Sequence, residues 1–321
     1  MQIQLLAVGV MRVSVVVNNY NYGRFVGRAV DSALQQSSPP HEIVVVDDGS
    51  SDGSLEAIEE IARRHPTVRV VAKQNGGQLS AFNAGFTAST GEVVCFLDAD
   101  DEYLPGYLAR LTEVYSEEPG IDFVYCTVEF VRDGVLLHKS SNAVESFDHG
   151  ISFFRTLALG EWVGSPTSGI SARRRLLHKI LPCPLEREWR IRADDVLVIG
   201  AAMAPGRKMH LAETYVRYHV HGANSWFGAH SDPSRLLKER LERHGLAGFF
   251  GRDVVTSLAA RRDWRRLVLA EFRTIPNPRL SDARVYARVI ARVPGSWSWI
   301  WKLRIFKHWL LRSAASGHGR A

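Results

Sequence analysis

Cysteine is scarce: three residues in 321, at positions 95, 126 and 183, with no C-x-x-C pair. That spacing excludes a zinc ribbon or a disulfide framework and leaves three buried thiols in a reducing, cytoplasmic compartment as the expectation. No stretch approaches the roughly 18 uncharged apolar residues of a spanning helix. The apolar opening MQIQLLAVGVM lacks a basic leader and a cleavage site, so it does not read as a signal peptide. Neither Gly23-Arg24 nor Asn75-Gly76-Gly77-Gln78 forms a dinucleotide fingerprint or a Walker loop, which removes nicotinamide and P-loop readings. Acidic residues end at Asp282; beyond it stand eight Lys or Arg. The net charge of +6 therefore belongs to the tail, and a chain-wide nucleic-acid footprint is excluded.

What remains is a globular composition, 45% hydrophobic and 23% charged, long enough for one large α/β domain and an accessory region. Short, nearly continuous apolar runs at 13–17, 42–48, 68–72, 92–98 and 122–131 read as strands buried on both faces. Helical stretches lie between them, at Tyr22–Gln36, Ser54–His65, Gln78–Ser89 and Pro105–Glu117. The alternation predicts a Rossmann-like, mostly parallel sheet flanked by helices. Residues 132–232 are less regular, and from Ser234 onward the pattern is helical and basic. Three segments are expected: 1–125 binding a nucleotide, 126–232 binding an acceptor, and a helical region over 233–321.

In an open parallel sheet, ligands bind beyond the carboxyl ends of the strands. Three polar clusters fall there: Asn18-Asn19-Tyr20-Asn21, Asp47-Asp48-Gly49-Ser50 and Asp98-Ala99-Asp100-Asp101. The third places three carboxylates within four residues, which repel unless a cation or ordered solvent offsets them. In an extended segment Asp98 and Asp100 point the same way. Mg²⁺ or Mn²⁺ would accept those oxygens and bridge to phosphate; an acidic surface turn is the competing reading. Asp48 can accept hydrogen bonds from a base or a ribose, although Asp-Gly-Ser-Ser-Asp-Gly is also a good turn, and Asp52 reads as a helix cap. Asp194-Asp195 opens an apolar helix and either caps it or supplies the base that an acceptor hydroxyl needs. His219 and His221 share a face of a strand-like stretch, as ligands or as structural residues.

Taken in order, these segments resemble the family 2 glycosyltransferases. The likeness is close over 12–115, through VSVVVNNYNYGRF, EIVVVDDGSSDGS, QNGGQLSAFNAGF and EVVCFLDADD, and looser over 160–226. The resemblance implies a GT-A fold and an inverting transferase that uses a nucleoside-diphosphate sugar, UDP-linked by default. It implies Asn19, Tyr20, Asp48 and Gln78 around the nucleotide sugar, and Asp98 and Asp100 as the metal-binding D-x-D, with Asp100 the stronger ligand. Asp195, beside Asp194, would be the catalytic base, and His221 would stand near the metal and diphosphate. Three positions depart from the family pattern: Asn18 for Pro, Asp194 for Glu and His219 for Arg. Asp101 is expected to be a bystander. The acceptor would be a hydroxyl on a glycan or lipid-linked glycan, met through 135–175 and 222–232. A sugar nucleotidyltransferase would show a Gly-rich basic loop after the first strand, which Asn18–Asn21 is not; a non-catalytic binding module would not need acidic residues at both the metal and base positions.

The tail WSWIWKLRIFKHWLLR (297–312) has the make-up of a helix lying in a membrane interface. Trp299, Leu303, Ile305, Phe306, Trp309 and Leu310 form one face, with Arg304, Lys307, His308 and Arg312 mainly opposite. A terminal helix packed on the domain is the other reading. The first places the protein on the inner face of a membrane.

Overall fold

The computed structural model describes residues 11–222, 224, 232–259, 264–292 and 298–315. The apolar N-terminal segment, most of the expected acceptor-contacting stretch 222–232 and the start of the Trp-rich tail lie outside the described residues. The strands are β1 (Val13–Asn19), β2 (Glu42–Asp47), β3 (Val68–Ala72), β4 (Val93–Asp98), β5 (Glu102–Tyr103), β6 (Phe123–Arg132), β7 (Val135–Lys139), β8 (Phe147–Gly150), β9 (Ile170–Arg173) and β10 (Lys208–His219). The α-helices are α1 (Gly23–Leu34), α2 (Ser54–Arg64), α3 (Gln78–Ala88), α4 (Tyr107–Glu117), α5 (Phe153–Leu159), α6 (Arg174–Leu177), α7 (Ala193–Met203), α8 (Pro233–Ala259), α9 (Trp264–Phe272), α10 (Leu280–Arg292) and α11 (Ser298–Ala315).

All ten strands form one sheet in the order β3-β2-β1-β4-β9-β6-β10-β5, with β7 beside β6 and β8 beside β10. The first four strands in that order are parallel, as alternation with helices requires. The short β9 then runs antiparallel to both β4 and β6, so the second half of the sheet is mixed. The segment boundary expected at 125 falls inside β6, and the sheet crosses it without a break.

The period of two sends alternate residues to two cores. Val13, Val15 and Val17 join Ile43, Val45, Cys95 and Leu97 beneath α1, α2 and α4. Val16, Val44, Val46, Val94 and Phe96 face α3, α7 and the C-terminal helices. Gly85 lets α3 lie on β1, because a Cβ there would stand 2.3 Å from Val16 Cγ1. All three cysteines are buried and unpaired in a disulfide. The N-cap of α2 is Gly53, not Asp52 as expected; Asp52 stands one residue earlier and joins two helix starts, accepting from the backbone N–H of Ser54 at 3.1 Å and of Gly23 at 3.0 Å.

The C-terminal helices share the second core through Val268, Phe272, Tyr286, Val289 and Ile305. Glu271 of α9 accepts the Phe154 N–H at the start of α5 and the Tyr286 hydroxyl, and burial pushes its carboxyl up to about 7. Lys208, fully buried at the start of β10, donates to Val163 O at 3.0 Å and Val198 O at 2.7 Å. Burial lowers its ammonium to about 7. The apolar residues of α11 divide in two. Ile305 is buried, with Trp301, Phe306 and Trp309 against the core, while Trp299, Leu303 and Leu310 are 57%, 59% and 57% exposed. No described helix is long and apolar enough to cross a membrane.

Candidate functional site

Sheet register brings the polar clusters together. Asn18 at the end of β1 pairs with Asp98 at the end of β4, and Asn19 pairs with Asp47 at the end of β2. They open into a cavity of about 1290 Å³. It is lined by Asn18, Asn19, Tyr20, Asp48, Gln78, Asp98 and Asp100 from the strand ends and the start of α3, and by Trp162, Thr167, Arg190, Arg192, Asp194 and Arg243 from later in the chain.

Each polar cluster is held in place by its neighbours. Asn19 donates to Asp47 at 2.9 Å and to Ser50 at 3.2 Å, while its own Oδ1, like that of Asn18, is buried with no partner among the described residues. A buried acceptor left open in this way costs free energy unless a ligand or water fills it. Tyr20 is half exposed over the rim. Asp48 spends its carboxylate on the following loop. It accepts from Lys73 Nζ at 2.6 Å and from the backbone N–H groups of Gly76 and Gly77 at 2.9 and 2.7 Å. Its contribution to the cavity is thus the shape of loop 73–77 as much as a ligand oxygen. Gly77 has φ +92°, and a Cβ there would meet Arg190 Cα at 2.5 Å, so this crossing needs glycine. Gln78 begins α3 and bridges the two sides: Nε2 donates to Asp98 at 3.0 Å and Thr167 at 3.2 Å, and Oε1 accepts the Ala193 N–H at 2.9 Å.

Among the acids, Asp98 is pushed up to about 7 by burial and by the charge of Asp100, against hydrogen bonds from Asn18, Gln78 and Thr167. Asp100 accepts from Asn224 at 3.1 Å and lies 3.1 Å from His221 Nε2. The His221 ring stacks on Phe25 at 4.7 Å. His221 therefore meets the cavity through Asp100. His219 turns to Glu102 at 3.3 Å instead, so the two histidines do not form one ligand pair. Asp101 is no surface bystander. It is fully buried, accepts from Ser168 Oγ at 2.5 Å and the His219 N–H at 3.2 Å, and ties β9 and β10 to the acidic turn.

No three His, Cys, Asp or Glu side chains form a metal-holding cluster among the described residues. Mg²⁺ and Mn²⁺ need only one or two protein carboxylates when substrate phosphates supply the rest. Asp98 and Asp100 fit that role: they are carboxylates two residues apart at the end of β4, and both line the cavity.

The two carboxylates at the start of α7 have different surroundings. Asp195 is buried behind two residues of the cavity lining, Arg192 and Arg243, and does not itself line the cavity. Its Oδ2 accepts from Arg192 Nε at 3.1 Å and its Oδ1 from Arg243 Nε at 2.9 Å. Asp194 lines the cavity, and burial, Asp195 and Asp98 push it up to about 7. Both oxygens of Asp195 are taken up by guanidiniums, whereas Asp194, raised toward neutrality, lines the ligand space and is the better placed to receive a proton. Arg243, from α8, gave no sequence signal of its own, lying 48 residues beyond Asp195 in an Arg-rich helix. It also stands over Trp162 at 5.4 Å.

Known proteins carry the same organisation. A glycosyltransferase of Nostoc sp. is 35% identical over 225 residues, 70% of this chain and 69% of that one. The glycosyltransferase EpsJ of Bacillus subtilis is 39% identical over 114 residues, covering 36% of this chain and 33% of EpsJ. The chondroitin synthase of Pasteurella multocida is 34% identical over 131 residues, and the match spans 14% of its length. Among solved structures, residues 1–349 of S. aureus TarS share the fold at a TM-score of 0.54 and 20% identity, over 97% of this chain and 92% of that one. The description "Glycosyl transferase family 2" matches residues 14–181, which hold Asn19, Asp48, Gln78, Asp98 and Asp100 at one end of the sheet. The strand-end cavity and the stretch that builds it thus point the same way: this chain belongs to glycosyl transferase family 2 and is a glycosyltransferase.

Proposed function

We propose that the chain moves a sugar from a nucleoside-diphosphate sugar to a hydroxyl of a glycan or lipid-linked glycan, with inversion at the anomeric carbon. The observation that carries this reading is Asp194 on the wall facing Asp98 and Asp100 of one cavity. The open Asn18 and Asn19 oxygens and Tyr20 suit a nucleobase, whose N–H groups donate and whose ring stacks. Asp98 and Asp100 would hold Mn²⁺ or Mg²⁺ with the diphosphate, and the ion's chemistry would be to stabilise charge on the leaving group. Asp194 takes the proton of the acceptor hydroxyl, which then attacks from the face away from the diphosphate. Asp195 is a positioning residue that orients Arg192 and Arg243 and raises Asp194. S. aureus TarS has been solved with UDP and with UDP-GlcNAc, which makes UDP the first donor nucleotide to test.

A thermal-shift panel of UDP, GDP and dTDP, each with and without Mn²⁺, tests the donor side. The expected result is stabilisation by one nucleotide that grows with the ion, about 2.7 kcal/mol at a hundredfold excess over Kd. No shift with any nucleotide would overturn the reading.

The exposed stripe of Trp299, Leu303 and Leu310, flanked by Arg304, Lys307 and Arg312, suits an anionic membrane surface. Vesicles containing anionic lipid should co-sediment the protein, and Ser at those three apolar positions should release it. Equal binding of both proteins defeats this part.

A further inference from the structure

A second cleft, of about 500 Å³, opens between the end of α5 and the first turns of α8. Trp162 and Arg243 line both it and the main cavity, so the two spaces meet at a common wall. A chain leaving the main cavity past that wall enters the cleft.

The lining is amphipathic. Leu236 and Leu237 are 48% and 59% exposed, and Arg240 and His244 stand beside them on the same helix. Trp162 Nε1 is buried and has no hydrogen-bond partner among the described residues, which leave a donor in this wall without an oxygen. An acyl chain would strip water from Arg240 and His244 without offering either a hydrogen bond. A sugar matches both features: its C–H face packs on an indole or leucine, and its hydroxyls reach the polar rim. The volume falls within the range of small-molecule sites, about 300–1,000 Å³.

We infer that this cleft is an acceptor subsite, and that the acceptor is an oligosaccharide whose sugars beyond the reacting one lie between α5 and α8. The inference rests on the proposed transferase reading and names its acceptor class. Binding energy from these remote sugars is available to place the reacting hydroxyl, so short acceptors lose turnover as well as affinity.

The test uses the full chain, a set of sugars linked to the nucleotide that the thermal panel favours, and tagged mono-, di-, tri- and tetrasaccharides of several linkages. For the productive linkage, kcat/KM rises about tenfold or more from monosaccharide to the longer glycans. Leu237→Trp, an exposed position outside the main cavity, fills the cleft and removes that gain. Monosaccharide transfer and nucleotide-sugar hydrolysis keep their rates. Rates independent of length, a length dependence that Leu237→Trp leaves intact, or no glycan used at all would each overturn the inference. Nucleotide binding and donor hydrolysis separate the failures: if they persist, only the subsite is wrong, and if they are absent, the transferase reading falls with it.

Discussion

Replacing Asp194 with Asn, and separately Asp195 with Asn, distinguishes the two carboxylates of α7. Asp194→Asn keeps the shape of the wall and removes the proton acceptor. A positioned general base contributes about 10²–10⁴-fold, and kcat should fall by that factor. Asp194 titrates at about 7, so wild-type kcat should fall about tenfold per unit as pH drops below that value. Asp195→Asn removes a neighbouring negative charge that helps to hold Asp194 up, second to burial. The acid limb should therefore move to lower pH while turnover above neutrality survives. The substitution also weakens two guanidinium contacts. Breaking a fully buried pair costs about 3–5 kcal/mol; Arg192 and Arg243 are 11% and 33% exposed, which places the cost below that range. Melting curves establish that both variants fold, and rates under saturating donor from pH 5.5 to 8.5 then decide. If Asp194→Asn stays within tenfold of wild type while Asp195→Asn loses two orders or more at every pH, Asp195 is the base and the reasoning from cavity lining is refuted.

Three further outcomes are expected from the geometry. Glu271 is raised from 4.5 to about 7, so its stabilising contribution is complete below its unfolded value and is lost as pH rises through the folded one. Urea unfolding should show wild type losing up to about 3 kcal/mol between pH 5 and 8, and Glu271→Gln should flatten that slope; parallel slopes would contradict it. Gly77→Ala should strain the loop by about 1–3 kcal/mol and push it from Arg190, lowering the melting temperature by a few degrees and weakening nucleoside-diphosphate binding about tenfold in calorimetry. Asp100→Ala should abolish the Mn²⁺-dependent part of the nucleotide thermal shift while leaving a metal-independent part; an undiminished Mn²⁺ effect would clear Asp100 of that role.

The donor side was legible because strands buried on both faces have an unmistakable composition and the sheet fixes where the residues just beyond their ends must lie. Asn18, Asn19, Asp47, Asp48 and Asp98 are neighbours as soon as β1, β2 and β4 are placed in register. The helices on that side were read to within two residues of their ends for the same reason. The acceptor side was less legible because its geometry depends on distant partners. Which of Asp194 and Asp195 faces the cavity is decided by Arg192 and by Arg243 of α8, and neither contact has a local pattern. β9 is four residues long and its direction reverses the sheet, which no periodicity over so short a span can reveal. In α11 the apolar positions read from the sequence as one face, whereas the fold divides them between the core and the surface.

Lys208 has a consequence for how substrates are chosen. Two leucines in contact can slide past one another; an ammonium bonded to Val163 O and Val198 O cannot without losing both acceptors. One side chain of the sheet thereby ties the loop next to Trp162 to α7, the helix that carries Asp194. Misplacement of about 1 Å can cost a hundredfold in rate. Under the proposed reading, in which this wall meets the acceptor, the tie would hold Trp162 and Asp194 in one frame, and a glycan would react only where its own shape brings a hydroxyl to Asp194.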